Sequence, residues 1–223
     1  MVTRARHYST PDSLIPPGQP ILLPHDHVSS VAVSPNGRWV ATGTHGGKQV
    51  KIWNADNGKL ERIILPEETE CTVTFSPGLE DKWLVTNGAE IRLWAVPSWE
   101  KGLRLGEGTR FSAPAFSPDG KILAFETEQG VIRLLNPNTG TEFARLENPD
   151  QERAAALIFS PDGTQLIATS EDNPLIFIWD LRAIRQQLFA MALDWELPPF
   201  PPAELATNVT SLRVQIDLGD FPK

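Results

Sequence analysis

The sequence predicts an all-β propeller of about four blades, a partial ring or half-propeller, followed by a short C-terminal helix and a proline-rich strap. Three observations carry that expectation. Ser-Pro pairs recur at Ser34-Pro35, Ser76-Pro77, Ser117-Pro118 and Ser160-Pro161, at steps of 42, 41 and 43 residues. The residue closing a third strand recurs at Trp53, Trp94, Leu135 and Trp179, at steps of 41, 41 and 44. Between these marks the apolar residues follow strand patterns. A repeat of roughly 40–45 residues holding four short strands is the signature of a propeller blade.

Residues 1–17 show no periodicity and are expected to form a flexible arm. Gly18 lies 40 residues before Gly58, which lies 82 before Gly140, two repeats on. Residues 18–24 are therefore in register with the outer strand of a blade whose first three strands are missing. The first repeat, residues 25–65, reads as an inner strand "VSSVAVS", a Pro-Asn-Gly turn, "RWVAT", the loop "GTHGGK", "QVKIW" and an outer strand from Lys59. Proline presets φ at the second turn position, and glycine supplies the positive φ that other residues resist. The second repeat, residues 70–105, is looser: its turn "SPGLEDKW" carries extra residues and its outer strand is blurred by "VPSWEKG". The third spans 109–146, with Leu135 where the others have tryptophan, and the fourth spans 154–180.

The second strands "WVAT", "WLVT", "ILAF" and "LIAT" are apolar at nearly every position, as in strands covered on both faces. In the third strands Lys51, Arg92 and Arg133 alternate with aliphatic residues. Their stems are expected to cover the sheet while their heads reach solvent or a loop carboxylate. After Trp179 the pattern changes. Leu181, Ile184, Leu188 and Met191 recur at helical spacing behind Asp180, a good N-cap, which predicts a helix of about 11 residues within 181–193 instead of an outer strand. In residues 194–223, "DWELPPFPPAE" reads as an extended strap pinned by Trp195 and Phe200. The alternation of Leu212, Val214, Ile216 and Leu218 then reads as a half-buried strand.

Blades bury both faces, so the stack needs a ring or caps at its ends. The orphan outer strand at residues 19–23 matches the one that blade four lacks, with the strand at 212–218 a rival for the same place. Three arrangements stay open: a piece of a longer propeller, a homodimer of half-rings exchanging N-terminal strands to give eight blades, or four blades closing alone.

Composition narrows the function classes. Apolar residues make up 40%, enough for a packed core. The 28 acidic against 20 basic residues, a net charge of -8, argue against nucleic acid or an anionic membrane as partner. The single cysteine, Cys71, has no internal disulfide partner and reads as a small core residue in "CTVTF". There is neither an 18-residue apolar run nor a signal peptide, so a cytoplasmic location is expected.

The units "VAVSPNG", "FSPDG", "IFSPDG", "VKIW" and "FIWD" resemble WD40 repeats from about Gly18 to Asp180. That resemblance implies a structural network of histidine, Ser/Thr, Asp and tryptophan in each blade. It maps onto His25, Thr42 and Trp53 in blade one, Trp94 in blade two, and Thr169, Asp172 and Trp179 in blade four; blades two and three retain less of it. The ending "IWDLRAIRQQLFAMALDWELPPFPPA" looks like the close of propellers in large multidomain bacterial proteins linked to kinase or helical-repeat domains. This implies a regulatory or sensor segment of a Ser/Thr kinase signalling protein, although no kinase motif is present in the chain.

Little points to chemistry. In "HDH", His25 and His27 would face one way on an extended strand and Asp26 the other, so at most two could ligate together; no metal and no cofactor are expected. No catalytic triad, nucleophile elbow or phosphate loop has its required context. A propeller hydrolase would need inward acids or histidines, and none is legible. The expected function is a non-catalytic interaction scaffold binding a protein or peptide. Its loop face would be built from His27, Glu70, Arg110 and Arg153 before the inner strands, and His45, Asn87, Glu128 and Asp172 after the second strands.

Overall fold

A computed structural model describes residues 21–78, 82–109, 112–148 and 150–200. It is an all-β, four-bladed propeller arrangement with one short helix. Blade one comprises β1 (Val28–Val33), β2 (Trp39–Thr44), β3 (Lys51–Asn54) and β4 (Leu60–Ile63). Blade two comprises β5 (Thr72–Phe75), β6 (Trp83–Asn87), β7 (Glu90–Ala95) and β8 (Glu100–Glu107). Blade three comprises β9 (Ala115–Phe116), β10 (Leu123–Glu128), β11 (Val131–Leu135) and β12 (Glu142–Glu147). Blade four has β13 (Ala154–Phe159), β14 (Gln165–Ser170) and β15 (Ile176–Asp180), followed by α1 (Leu181–Ala190). Within each sheet the strands pair antiparallel in chain order.

The repeated Ser-Pro pair has a mechanical reason. Each serine hydroxyl accepts the backbone N–H that opens the second strand: Trp39 to Ser34 at 3.0 Å, Trp83 to Ser76 at 3.0 Å, Ile122 to Ser117 at 2.9 Å and Gln165 to Ser160 at 2.9 Å. In blades one, three and four the same hydroxyl donates to Asn36, Asp119 or Asp162, which in turn accepts the backbone N–H two residues on. Such side-chain bonds hold a tight reversal without drawing on the strand ladder.

Apolar clusters sit between neighbouring blades. Trp39, Ala41, Val50 and Ile52 meet Cys71, Val73 and Phe75 between blades one and two. Ile91 and Leu93 meet Leu123, Phe125 and Leu135 between blades two and three. Ile132 and Leu134 meet Leu157 and Phe159 between blades three and four. The cations of the third strands lie across this framework. Arg92 pairs with Glu90 and Arg133 with Glu142, while Lys51 Nζ sits 5.7 Å from the Trp53 ring centre.

Blade two is better ordered in sequence register than its loose repeat suggests. The "VPSWEKG" stretch turns tightly and leads into β8, an eight-residue outer strand. Trp99, in the left-handed region at φ 59°, folds back into the core edge-on to Trp39, with centroids 5.4 Å apart.

The helix forms where the spacing places it. Asp180 accepts the Ala183 N–H at 3.0 Å, and Leu181, Ile184 and Leu188 pack on the cluster between blades three and four. Met191 falls just beyond the last turn and is exposed.

At the ends of the stack, residues 21–24 form no strand and do not pair with blade four of their own chain; they lie against blade one, where Ile21 and Leu23 crowd Gly58. Leu103 and Leu105 of β8 lie beside the equivalent Gly140 of blade three, at ordinary contact distance. The segment thus stands where the outer strand of a preceding blade would stand. Among the described residues blade four is three-stranded, β15 pairs only with β14, and no apolar cluster joins blade four back to blade one. The expected arm (1–17), residues 18–20 and the strand at 212–218 lie outside the described residues.

Candidate interaction surface

The loops that precede the inner strands and those that follow the second strands share one edge of the stack. There His45 forms a β-bridge with Glu70, its N–H also bonding the His27 carbonyl at 3.1 Å. His45 Nδ1 lies 3.9 Å from the Glu70 carboxylate, so a protonated His45 would pair with it. His27 is exposed, at φ 56°. At the junction of blades three and four, Glu128 and Asp172 are exposed and Arg153 is half-buried, its carbonyl accepting the Glu171 N–H at 3.0 Å. The structure therefore gathers His27, His45 and Glu70 at one end of the edge and Glu128, Arg153 and Asp172 at the other. Arg110 lies outside the described residues.

Asn87 is not part of this surface. It is fully buried, and its amide donates to the Ser112 carbonyl at 2.8 Å. Its counterparts in the repeat are Gly43, Glu126 and Ser170, and in the first three blades this position faces the start of the next blade. At Gly43 a side chain would collide with the Cys71 carbonyl, so only glycine allows that approach. At Glu126 the buried carboxylate accepts the Gly130 and Ala154 N–H groups, both at 3.1 Å, through Oε1, while Oε2 has no hydrogen-bond partner. Desolvation raises the Glu126 pKa, against the lowering effect of those two bonds. The loop edge is thus anchored by buried polar contacts between blades.

Beneath it lies the tryptophan network. In blade one His25 Nδ1 and Thr42 Oγ1 are 2.7 Å apart, and the Trp53 indole donates to Thr42 at 2.9 Å. Blade two keeps half of it, Trp94 to Thr86 at 3.0 Å. Blade three replaces both partners: Phe125 stands for the threonine and Leu135 for the tryptophan, both buried. Losing the indole donor removes the need for an acceptor, so the swap leaves no buried group unpaired. In blade four, no hydrogen bond joins Thr169, Asp172 and Trp179 among the described residues. Trp179 tilts against Phe177, with centroids 6.1 Å apart, and packs on the cluster facing blade three.

Two features went unread in the sequence. Arg185 on α1 is buried, pairs with Asp194 through two bonds of 2.9 Å, and donates to the Pro198 and Leu197 carbonyls, both at 2.7 Å. It lies over Trp195 and Phe200, at 5.2 and 5.4 Å from their ring centres. Only its place on the core-facing side of a helix just ahead of an Asp-Trp pair could have singled it out. Beside it, a groove of about 460 Å³ runs between the turns at Pro118 and Pro161 and the strap at Pro199 and Phe200.

The two end faces form the second surface. The third-strand positions that cover each junction are Val50 and Ile52, Ile91 and Leu93, then Ile132 and Leu134, none more than 2% exposed. Their counterparts in blade four, Ile176 and Ile178, are 65% and 61% exposed. At the other end Val31 and Val33 are 64% and 58% exposed, whereas their counterparts Val73 and Phe75 are 3% and 7%. Among the described residues no three His, Cys, Asp or Glu side chains converge to hold a metal ion, and no helix is long and apolar enough to cross a membrane.

Comparison with known proteins agrees with this architecture. The family described as "WD domain, G-beta repeat" matches residues 18–54. The chain is 26% identical over 179 residues to Pre-mRNA-processing factor 19 of Oryza sativa subsp. japonica, covering 77% of this chain and 33% of that protein. It is 30% identical over 106 residues to Pre-mRNA-processing factor 19 homolog 2 of Arabidopsis thaliana, covering 48% and 20%. It is also 25% identical over 168 residues to WD repeat-containing protein 26 homolog of the same plant, covering 72% and 28%. The chain thus spans a fifth to a third of the length of these relatives. It carries a WD40 repeat within a four-bladed propeller arrangement and is similar to WD-repeat proteins.

Proposed function

We propose that the chain is a non-catalytic protein-interaction scaffold, working in the cytoplasm, whose loop edge receives a protein or peptide partner. WD40 repeats generally serve protein–protein interaction, and one observation carries the reading to this edge. His27, His45, Glu128 and Asp172 stand exposed on loops whose roots are fixed by the buried contacts at Gly43, Asn87 and Glu126. A rigid base beneath exposed polar tips lowers the ordering cost of binding. With Glu70 and Arg153 the edge offers both signs of charge, which suits a polypeptide better than a polyphosphate. The net charge of -8 also disfavours nucleic acid and anionic membrane.

The test is charge reversal at Glu70→Lys, Glu128→Lys and Asp172→Lys in one full-length variant. These positions lie at the edge or outside the sheets, so melting should stay close to the parent. Binding of partners crosslinked to the parent protein and identified by mass should fall at least tenfold. Unchanged binding of every such partner would remove the loop edge from the function. The second reading, a regulatory segment of a Ser/Thr kinase pathway in a bacterium, rests on the C-terminal resemblance alone; none of the relatives named above is named as a kinase. Its support would be a direct, measurable change in a purified kinase's activity on adding the chain.

A further inference from the structure

We propose that two copies of this chain pair head to tail into one closed eight-bladed ring, with residues 21–24 of each copy serving as the outer strand of the other's fourth blade. Three observations converge on a second copy as the occupant of the bare faces. The two ends are unlike and complementary: one presents Ile158, Ile176 and Ile178, the other Val31 and Val33, and the positions equivalent to Ile176 and Ile178 in β7 and β11 and to Val31 and Val33 in β5 and β13 are buried. Among the described residues, a stretch of backbone precedes blade one without a sheet of its own, and blade four has no outer strand. Residues 21–24 sit against blade one on the side where β8 sits against blade three, while among the described residues β15 has no second strand beside it and Asp180 starts a helix. Lastly, four blades doubled make eight, within the range of about four to eight at which propellers close.

The internal junctions set the register of the pairing. Blade one's inner strand packs on blade two's, and blade three's on blade four's: β1 on β5 and β9 on β13. Across the new junction β13 of one copy would therefore meet β1 of the next, placing Ile158 and Ile178 over Val31 and Val33. Each junction is head to tail, so the ring requires a rotation that closes after two copies; a mass well above double in light scattering would mean an open filament and overturn the proposal. The added strand pairs by backbone hydrogen bonds to the free edge of β15, as in other strand-addition interfaces. The pairing is independent of whether the loop edge binds a partner.

Light scattering on the full chain should give twice the 24.7 kDa mass of one copy. Ile158→Glu/Ile178→Glu and Val31→Lys/Val33→Lys should each be monomeric, with circular dichroism spectra matching the parent to establish that each is folded. Mixed together, the two variants should recover the double mass. In that heterodimer one junction is native and the other joins glutamates to lysines, a rescue that face-to-face pairing of like ends cannot produce. Hydrogen exchange at Ile176 and Ile178, whose N–H groups face away from β14, should slow on dimerisation. A monomeric parent would overturn the proposal, as would double mass persisting in the glutamate variant or a mixture that stays monomeric. Protection of β15 in a monomer would assign its free edge to another segment of the same chain and equally overturn it.

Discussion

At Glu126 a repeat position filled by glycine, asparagine and serine in the other blades carries a carboxylate instead. The residue does the same task as Asn87, reaching from one blade to the next, but it exposes the fold to pH. Burial raises its pKa, so the folded state holds the proton more tightly than the unfolded chain. Its contribution to stability is fullest below the ordinary glutamate value of about 4.3 and declines as pH rises through the raised folded value. Asp162 acts in the opposite sense. The Ser160 hydroxyl, followed by the Thr164 N–H and hydroxyl, lowers its pKa from 3.8 to about 2, so its contribution is present above 3.8 and lost as pH falls towards 2. Glu126→Gln keeps an acceptor for Gly130 and Ala154 and removes the charge. It should melt higher than the parent at pH 8 and flatten the melting profile upward from about pH 4.5. A variant whose profile tracks the parent throughout would show that Glu126 is not the titrating group.

α1 and the strap behave as one element held by a single guanidinium. Arg185 engages Asp194, three strap carbonyls and two aromatic rings from one side chain. The arginine pair lowers the Asp194 pKa. Cutting the arginine away leaves the carboxylate half-buried without its partner, a loss of about 3 kcal/mol for a pair of this kind. Arg185→Ala should therefore open the strap to protease between residues 191 and 200 and lower the melting temperature. Arg185→Lys should repair little of this, because an ammonium cannot make the paired bonds of the planar fork. Equal protease resistance in all three proteins would show that the strap is held by its aromatic contacts alone. Trp99 tells a related story in blade two, where the residues that obscure the repeat supply a ring to the core.

Across the molecule, blade faces are satisfied in the middle of the stack and bare at both ends. Large aliphatic side chains left in water are a standing drive to association. If the ends are covered by a second copy, unfolding is linked to dissociation and the melting temperature depends on protein concentration. A rise of about 100-fold in concentration should raise the parent's melting temperature by several degrees, the order expected for about 2.7 kcal/mol of linkage in a chain of this size. The Val31→Lys/Val33→Lys protein should melt at one temperature throughout that range. A parent that is likewise insensitive would mean that no association stabilises the fold.

Much of this was legible in the chain before any coordinate. The Ser-Pro steps, the third-strand tryptophans and the Asp180 cap are local, short-range requirements, and local requirements leave marks at fixed intervals. The four blades, the helix and the core place of Cys71 follow from them. The loop edge was legible as a set of positions but not as a surface. Asn87 looked like its exposed neighbours, and its burial comes from the Ser112 carbonyl of the next blade, 25 residues away. Arg185, Trp99 and Glu126 were missed for the same reason: each is defined by a partner outside its own strand or turn. What the amino-acid order settles here is the repeating unit, because hydrogen bonds and apolar alternation within about forty residues specify it. How the units end, with residues 21–24 against blade one and β15, among the described residues, paired on one side only, depends on packing between distant segments, and that is visible only in three dimensions.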